Sequence, residues 1–585
     1  MNPLRWLAWT LAFAAGLRAE APARWDHIKT AMFFTSGDVA RLLATPRERQ
    51  STLAYFAPLR LSHVYLENAS PDASSVGYLR AIADDLKARG LEVSGAVVPN
   101  RNGPLAYNDP ADMALLESRV RILAQVFDSI IVDDWLFTTD TSARSVADRG
   151  AQSSADYRSR LVAHEAQIHM LDAAHQVNPN CRVIIKYPNW YEGHRQNGYD
   201  PAVESREFDG VAVGIETRQL ATQDQHIPAY SGYVFQRWIG GDAGAKYVGA
   251  WLDNYGMAGD FSEYAAEVWQ AALARSPEII FWCAGQLCPP VPAANDYAPL
   301  CELMPEVDRL AGLLDGAPRG IPFHLPLGSV GEYNLFGYLG MIGLPIAPVT
   351  GFPTQEAQAI FSLHSLPDPA LGARLTERMR AGKEIFVTWP LWQRLRASEI
   401  GRTLDVLDDQ GDVTSNLFRV KAAPWHDDTV DAGRPFTFPK IRIPIWPYIR
   451  NVALIREDGD FGVLLSEPYL GGQIDVLNLP ENYYDLLRLP SPVLNAIRRT
   501  FVPQVGFQLR GPGKVLVYPF GDRQYVLYNM NDQPAPVSLR LPSGAMAGAW
   551  SERLHHDLLH VTRPGGDTDV ALTLQPDEVA LVEHD

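Results

Sequence analysis

Cysteine is scarce in this sequence, and the few cysteines are not spaced as metal ligands. Cys181, Cys283, Cys288 and Cys301 are the four present among 585 residues, and none belongs to a Cys-x-x-Cys zinc pattern. In an exported protein, Cys288 and Cys301 could form a disulfide across the short proline-rich loop between them. The spacing alone does not fix the connectivity.

Positive charge is also in deficit. The chain has 51 Lys and Arg against 68 Asp and Glu, which gives a formal net charge of −17. This balance disfavours nucleic acid or an anionic membrane as the main partner, because both attract basic surfaces. A neutral partner would be indifferent to it.

No apolar run of about 18 residues follows the N-terminus, so the sequence predicts no transmembrane helix. The N-terminus itself is typical of a signal peptide. Met1–Arg5 carries positive charge, and Trp6–Leu17 is apolar but too short to span a bilayer. Ala19 or Ala21 would suit cleavage. We therefore expect residues 1–21 to be removed and the mature protein to be exported, either periplasmic or secreted.

Motifs that hold cofactors are missing as well. We find no Gly-x-Gly-x-x-Gly, phosphate loop or Gly-x-Ser-x-Gly elbow in a fitting context. His164 and His169 are five residues apart and do not share a helix face, and His556 and His560 lack a partner cluster. We expect no cofactor and no metal, although the pair Asp133-Asp134 with a carboxylate on another strand could hold a divalent cation.

Residues 29–303 show strands alternating with helices. Such a pattern over about 270 residues is the signature of a (β/α)8 TIM barrel, which we place at 22–310 after the signal peptide. Asp109 and Pro110 open one of the intervening helices, and Gly90 ends another. The eight predicted strands are Thr30–Thr35, Leu61–Asn68, Glu92–Val98, Ser129–Trp135, Arg182–Pro188, Gly210–Thr217, Tyr247–Asp253 and Glu278–Cys283.

The pattern changes twice after the barrel. Residues 311–504 read as an open α/β sheet of doubly wound type that ends with a helix at Ser491–Thr500. The proline-rich stretch Pro435–Pro447 is expected to be a loop or insertion in this domain. Residues 505–585 alternate between apolar and polar positions, with turn residues between the runs, which predicts a small β-sandwich.

Two adjacent carboxylates end the fourth predicted strand. The apolar run Ile130–Val132 leads into Asp133 and Asp134, with Trp135 next. Carboxylates are costly to bury without a task, and this end of a parallel barrel carries the active site. Glu216 occupies the matching place on the sixth strand, above small residues on the same face. The alternative is an Asp pair that caps a helix or pairs with an arginine.

Two carboxyl groups on one rim suit the cleavage of a glycosidic bond. One donates a proton to the leaving oxygen, and the other attacks or stabilises the oxocarbenium-like centre or activates water. Our candidates are Asp134 or Asp133 together with Glu216. Because glutamate has the higher reference pKa and Ile215 is an apolar flank, we expect Glu216 to be the general acid. The Asp would then be the nucleophile or base.

Other polar and aromatic residues at the strand ends are expected to bind substrate. Aromatic rings stack on sugar rings, while charged and amide groups bind hydroxyls, and Lys186 would also keep one Asp ionised. For the polar residues a rim salt bridge is the alternative, and for the tryptophans it is core packing. The predicted set is Glu67, Lys186, Asn189, Trp190, Arg218, Trp251, Asp253 and Trp282.

The order of a barrel, an open α/β domain and a small sandwich resembles the family 42 β-galactosidases. The middle domain of those enzymes is similar to a glutamine amidotransferase without its active site, and Gly472–Pro490 resembles the end of such a domain. The segments Ile185–Glu192 and Phe208–Arg218 look like motifs of a glycosidase-like group. The resemblance implies a multidomain glycosidase with an amidotransferase-like middle domain.

The catalytic pattern departs from that family, which has a Glu after an Asn on strand four and a Glu on strand seven. This chain has Asp133 and Asp134 on strand four and Asp253 on strand seven. A strand-four Asp with a strand-six carboxylate is similar to α-galactosidase-type barrels. The adjacent Asp pair resembles enzymes that use the substrate's acetamido group as nucleophile. β-Galactosidase activity is therefore not implied.

We expect an exported glycoside hydrolase that acts on an oligo- or polysaccharide. One alternative is a non-catalytic carbohydrate-binding or assembly protein on a glycosidase scaffold, since fold alone does not establish activity. The other is a metal-dependent polysaccharide deacetylase. Neither nucleic acid nor a membrane is an expected partner, and the sequence leaves a homo-oligomer open.

Overall fold

The computed structural model describes residues 23–99, 105–133, 136–217, 227–254, 261–402, 407–423, 426–442, 450–542 and 548–585. The predicted signal peptide lies outside these residues. So do two of the predicted site residues, Asp134 and Arg218, and also Trp135.

Eight parallel strands close into a barrel in chain order, with the first strand paired to the second and to the eighth. Each predicted strand is present within a few residues of its predicted bounds, and the seventh has those bounds to the residue. The prediction of a (β/α)8 barrel is thereby confirmed. The strands are β1 Thr30–Phe34, β2 His63–Glu67, β3 Glu92–Val97, β4 Ser129–Val132, β5 Arg182–Tyr187, β6 Gly210–Gly214, β7 Tyr247–Asp253 and β8 Ile279–Trp282.

Helices surround the barrel, and local capping fixes several of them. The Thr35 side chain accepts a hydrogen bond from the Asp38 amide at the start of α1, and Asp109 does the same for Ala111 ahead of Pro110. The helices of this part are α1 Ser36–Leu42, α2 Pro46–Phe56, α3 Ser75–Ala88, α4 Pro110–Ala124, α5 Ala143–Arg149, α6 Ser154–Ala166, α7 Ala173–Val177, α8 His194–Asn197, α9 Pro201–Glu207, α10 Tyr230–Phe235, α11 Gly241–Ala243, α12 Phe261–Leu273 and α13 Tyr297–Leu313. Short π-helical turns at Gln167–Asp172 and Gln236–Gly240 follow α6 and α10 directly.

A mixed sheet of nine strands follows the barrel. Its five strands β10-β9-β11-β12-β17 are parallel, and β16-β14-β13-β15 extend it in antiparallel fashion. The strands are β9 Ile321–His324, β10 Ile346–Val349, β11 Gln358–Phe361, β12 Glu384–Thr388, β13 Leu407–Ala423, β14 His426–Arg442, β15 Arg450–Arg456, β16 Asp460–Tyr469 and β17 Gly472–Leu477. The helices are α14 Leu335–Met341, α15 Leu371–Arg380, α16 Trp389–Leu395, α17 Ser491–Arg499 and α18 Val502–Val505.

The long hairpin of β13 and β14 corrects one expectation. The stretch from Pro435 to Arg442 was predicted to be a loop or an insertion, and the loop alternative is wrong, because this stretch lies within β14 and pairs with β13. Buried Phe436 and Phe438 alternate with more exposed neighbours, which is the two-residue period of a strand. The prolines in this stretch had argued against a strand. Residues 443–447, the rest of the proline-rich stretch, lie outside the described residues.

Two four-stranded antiparallel sheets form the C-terminal sandwich, in the orders β18-β21-β24-β23 and β19-β20-β25-β22. Apolar side chains from both sheets share one core. The sandwich also contacts the barrel, because Tyr518 stacks on Tyr230 and donates to Gln270 at 2.9 Å. Its strands are β18 Gln508–Arg510, β19 Val515–Phe520, β20 Gln524–Asn529, β21 Ala535–Leu541, β22 Trp550–Glu552, β23 His560–Thr562, β24 Thr568–Leu574 and β25 Val579–His584.

Two further expectations can be compared with the structure. Cys288 and Cys301 are not bonded to each other, since all four cysteines are free thiols. Within the described part of the chain, no helix has both the length and the apolar character needed to cross a bilayer. The exact limits of the three domains, at 310 and 504, stay predictions.

Candidate active site

The inward-facing positions of the barrel change from apolar to charged at its C-terminal end. Ile131, Ile184, Ala212 and Trp251 belong to the interior cluster. Two residues further along the same strands stand Asp133, Lys186 and Asp253, and Glu216 lies four residues beyond Ala212. Because side chains alternate with period two, these groups continue the inward face at the rim where barrel active sites lie. Asp133, Lys186, Glu216 and Asp253 are all buried.

Lys186 and Glu216 form a fully buried ion pair. The Nζ of Lys186 donates to Oε1 of Glu216, and the two side chains are 0% and 3% exposed. The ammonium also lies 5.0 Å from the centre of the Trp251 ring, which is buried below it. An ammonium in contact with a carboxylate stabilises its charged form. Lys186 therefore favours an ionised Glu216.

Gly214 makes room for this carboxylate. A Cβ at Gly214 would lie 2.5 Å from Oε2 of Glu216 and 2.6 Å from the carbonyl oxygen of Tyr187. The sequence predicted that small residues on this face leave space below Glu216, and the geometry agrees. The glycine is thus a steric requirement of the site.

Gly214→Ala is expected to displace Glu216 and to lower the kcat of a reaction in which this carboxylate takes part about 10- to 100-fold, since small shifts of a reacting group are costly. The same crowding should destabilise the fold by roughly 1–3 kcal/mol. Gly77→Ala is the matched control, because nothing lies within 4 Å of its added Cβ on helix α3. Rates and urea midpoints of both variants check this, and unchanged kinetics in Gly214→Ala would refute it.

A buried glutamate that sequence reasoning missed ties the ends of β6 and β7 together. Glu267 on α12 is 0% exposed and accepts hydrogen bonds from the backbone amides of Thr217 at 2.7 Å and Asp253 at 3.1 Å. It thereby fixes the backbone that presents Glu216 and Asp253. The available signal was an acid inside an otherwise apolar helix face, in the run Ala265-Ala-Glu-Val-Trp269.

The remaining predicted residues differ in their contacts and in their exposure. Asn189 donates to the Glu216 carbonyl at 2.6 Å, and Glu67 accepts from the Ser36 amide at 2.7 Å, so both support the backbone of the rim. Trp190 is half-buried and packs edge-on against Phe137.

The other two tryptophans differ in exposure. Trp251 is only 1% exposed, so it supports Lys186 from below and presents no open face to a sugar. Trp282 is partly exposed above the interior cluster, beside a cis peptide bond to Cys283. Of the two, Trp282 has the side chain that a substrate can reach.

The described residues contain no group of three or more His, Cys, Asp or Glu side chains placed to hold a metal ion. Asp134 lies outside that set, so the predicted alternative of a cation at the Asp pair stays a prediction.

Beyond β5, the barrel rim contacts the middle domain through Glu192. Its carboxylate accepts from His364 Nε2 at 2.6 Å and from the backbone amides of Gly331 at 2.8 Å and Asn334 at 3.0 Å. Burial alone would raise the pKa of Glu192, but these hydrogen bonds together lower it below its ordinary value of 4.5. The contact thus favours an ionised Glu192.

Glu192→Gln is expected to lower the free energy of unfolding by about 1.5–3 kcal/mol at neutral pH, because hydrogen bonds to a charged group are lost. A carboxyl group with a lowered folded pKa stabilises the fold above its unfolded pKa and loses this effect as pH falls through the folded value. The difference between wild type and variant should therefore shrink below pH 4.5. Urea unfolding at pH 3–7 measures it, and two parallel curves would contradict it.

Comparison with known proteins indicates what kind of domain the barrel is. Residues 18–299 match the family model described as "Probable glycosyl hydrolase, catalytic domain". No curated protein sequence matches the chain significantly. A β-galactosidase from Bacillus circulans sp. alkalophilus is similar in structure with a TM-score of 0.55 and 11% identity, over 96% of this chain and 99% of that chain. At this identity the similarity shows the fold alone.

Two further solved structures align less well. A rhamnosidase from Novosphingobium sp. PP1Y has a TM-score of 0.37 and 13% identity, over 88% of this chain and 47% of that chain. An endo-1,4-beta-mannanase from Rhizomucor miehei has a TM-score of 0.32 and 10% identity, over 48% of this chain and 95% of that chain. The barrel and the family match agree: the chain carries a glycosyl hydrolase catalytic domain, and the protein is a glycosidase of the (β/α)8 type.

Proposed function

We propose that the protein hydrolyses O-glycosidic bonds of an oligo- or polysaccharide with two carboxyl groups at the C-terminal rim of the barrel. The pair is Glu216 with Asp133 or Asp134. The observation that carries this proposal is the buried contact of Lys186 with Glu216. Lys186 is on β5, next to the strand β4 that Asp133 follows. An ion pair removed from water at a barrel rim is costly as a purely structural feature, but it suits a charged catalytic group.

The ion pair favours the reverse of the roles expected from sequence, in which Glu216 was the general acid and the Asp was the nucleophile or base. Glu216, held in its charged form by Lys186, would be the nucleophile or the base that activates water. An Asp at the end of β4 would donate its proton to the leaving oxygen as the bond to the anomeric carbon breaks. If Glu216 attacks as the nucleophile, that Asp recovers its proton from the water that completes hydrolysis; if Glu216 acts as the base, Glu216 takes the proton of the attacking water and the Asp is reprotonated from solvent. Glu67, Asn189, Asp253 and Trp282 would bind or orient the sugar.

The stereochemical course follows from the separation of the carboxyl groups. Retaining enzymes have carboxyl groups about 5–5.5 Å apart, and inverting enzymes hold them about 6.5–9.5 Å apart. β5 lies between β4 and β6, so the two backbones are separated by about 10 Å, and the side chains bridge part of that gap. Proton NMR of the first anomer released distinguishes the two courses.

We also propose that residues 1–21 direct export, because a charged start precedes a short apolar run and small residues. N-terminal sequencing of the protein recovered outside the cytoplasm tests this. A mature chain that still begins at Met1 would overturn it.

The activity is tested by incubating the mature protein with a broad panel of oligo- and polysaccharides and analysing the products. New reducing ends from at least one glycan are the expected result. Binding without cleavage of any member would favour the non-catalytic interpretation. Release of acetate that stops with a chelator would favour a metal-dependent deacetylase. Either outcome would overturn the proposed reaction.

A further inference from the structure

The carboxyl ends of the parallel strands of the middle sheet meet the rim of the barrel. Glu192, five residues beyond β5, is bonded to His364, which follows β11, and to the amides of the loop that follows β9. Ligands of open α/β sheets bind at this edge, as they do at the C-terminal end of a barrel. Two edges of this kind therefore face each other across Glu192.

The loop after β9, residues 328–334, is held in a fixed conformation there. Glu332, which is 1% exposed, accepts from Thr388 Oγ1 at 2.8 Å and from the Leu363 amide at 3.1 Å. Thr388 is the last residue of β12, so the loop is fastened to two neighbouring strands of the sheet as well as to the barrel. Such anchoring leaves the backbone of the loop little freedom.

Between these anchors the loop exposes one aromatic side chain. Tyr333 follows buried Glu332 and is 77% exposed. Its φ is 42°, a left-handed conformation that is unfavourable for tyrosine, whereas the next residue, Asn334 at 58°, is of a type that tolerates it. Backbone strain of this kind persists where the surroundings enforce it and is concentrated at ligand-binding positions. Packing does not account for the ring, because most of it is in solvent.

We propose that Tyr333 is a specificity-determining residue, a platform on which a sugar unit remote from the cleaved bond stacks. This inference rests on the proposed glycosidase function. A tyrosine ring offers a flat apolar face and a hydroxyl, and an anchored backbone reduces the conformational entropy that the loop loses on binding. Glu192, which bonds the loop of Tyr333, follows Lys186 and Asn189 on the same segment of the chain, so this segment connects the loop to the rim that carries the proposed catalytic carboxylates. The middle domain would thus select for substrate length.

The test compares Tyr333→Ala with Tyr333→Phe, which keeps the ring. Leu558→Ala is the matched control, because Leu558 is 93% exposed but lies in the sandwich. Each variant is assayed on aryl monosaccharide glycosides and on a ladder of oligosaccharides of two to six units. For the longer members, Tyr333→Ala should raise KM roughly 3- to 15-fold with little change in kcat. Tyr333→Phe, Leu558→Ala and all aryl glycoside kinetics should stay near wild type.

The outcomes separate this inference from the function on which it rests. If wild type cleaves neither the ladder nor the aryl glycosides, the proposed function fails. If wild type is active and Tyr333→Ala matches it at every length, or if Leu558→Ala shows the same KM change, only the role of Tyr333 fails. Activity confined to single sugars would overturn the platform as well, because no remote unit would exist.

Discussion

Glu216→Gln is expected to lower kcat on the cleaved glycan by at least about 10³-fold, because the amide neither attacks the anomeric carbon nor accepts a proton from water. The substitution preserves shape, but it removes the charge that pairs with the buried Lys186 ammonium, so the variant should fold with a lower free energy of unfolding. Asp133→Asn and Asp134→Asn complete the set, and one of them should cause a loss of similar size. Initial rates with matched circular dichroism spectra measure the effect.

We expect Asp133→Asn to cause the larger loss of the two. β4 and β5 are paired with Val132 opposite Ile185, so the next positions, Asp133 and Lys186, are level at the rim. Ile131 points into the barrel interior, and Asp133 shares its parity. A larger loss in Asp134→Asn would show that the inward alternation ends with the strand at Val132.

Glu278→Gln is the control for removing a buried barrel carboxylate that is remote from the site. Glu278 precedes β8 at the opposite mouth of the barrel, where it accepts from Tyr65 at 2.8 Å and contacts His63 at 3.0 Å. This variant should be less stable, but its kcat should stay close to wild type. Full activity in Glu216→Gln and in both Asp variants would refute the catalytic assignment. A kcat loss of similar size in Glu278→Gln would mean that the loss in Glu216→Gln is not specific to the rim.

The barrel was predictable because its strands are short apolar runs with polar ends, a local signal that needs no tertiary information. The hairpin of β13 and β14 was not predictable, since Pro435 and Pro439 are of a residue type that strands rarely contain. β14 forms there because it pairs with β13. Sequence reasoning also identified the rim residues Asp133, Lys186 and Glu216, each from its place at a strand end.

Partnerships between these residues were harder to predict than their positions. Lys186 was expected to keep an Asp ionised, which stays a prediction. Its bond to Glu216 was not predicted, because it depends on the lysine side chain reaching the next strand. Glu192 and His364 are 172 residues apart in sequence, and nothing local connects them. Glu267 was missed because helix periodicity predicts only that it lies on the buried face, and not which groups it would bond. These contacts depend on how the elements pack, which no single segment encodes.

Lys186→Met is expected to have the second-largest effect, because it leaves the Glu216 carboxylate buried without its ammonium. Removing one partner of a buried ion pair destabilises a protein by about 3–5 kcal/mol. Glu216 would also be less readily ionised, so the acid limb of the activity profile should move to higher pH. Urea unfolding and kcat/KM between pH 4 and 9 measure both effects.

A double-mutant cycle distinguishes this pairing from a general packing defect. The double variant Lys186→Met with Glu216→Gln removes both charges of the ion pair, so it should be more stable than the sum of the single losses implies. Methionine keeps the length and most of the volume of the lysine stem over Trp251, so a cavity contributes little. Strictly additive losses, or an unshifted acid limb in Lys186→Met, would mean that Lys186 fills space beneath the rim without controlling the charge of Glu216.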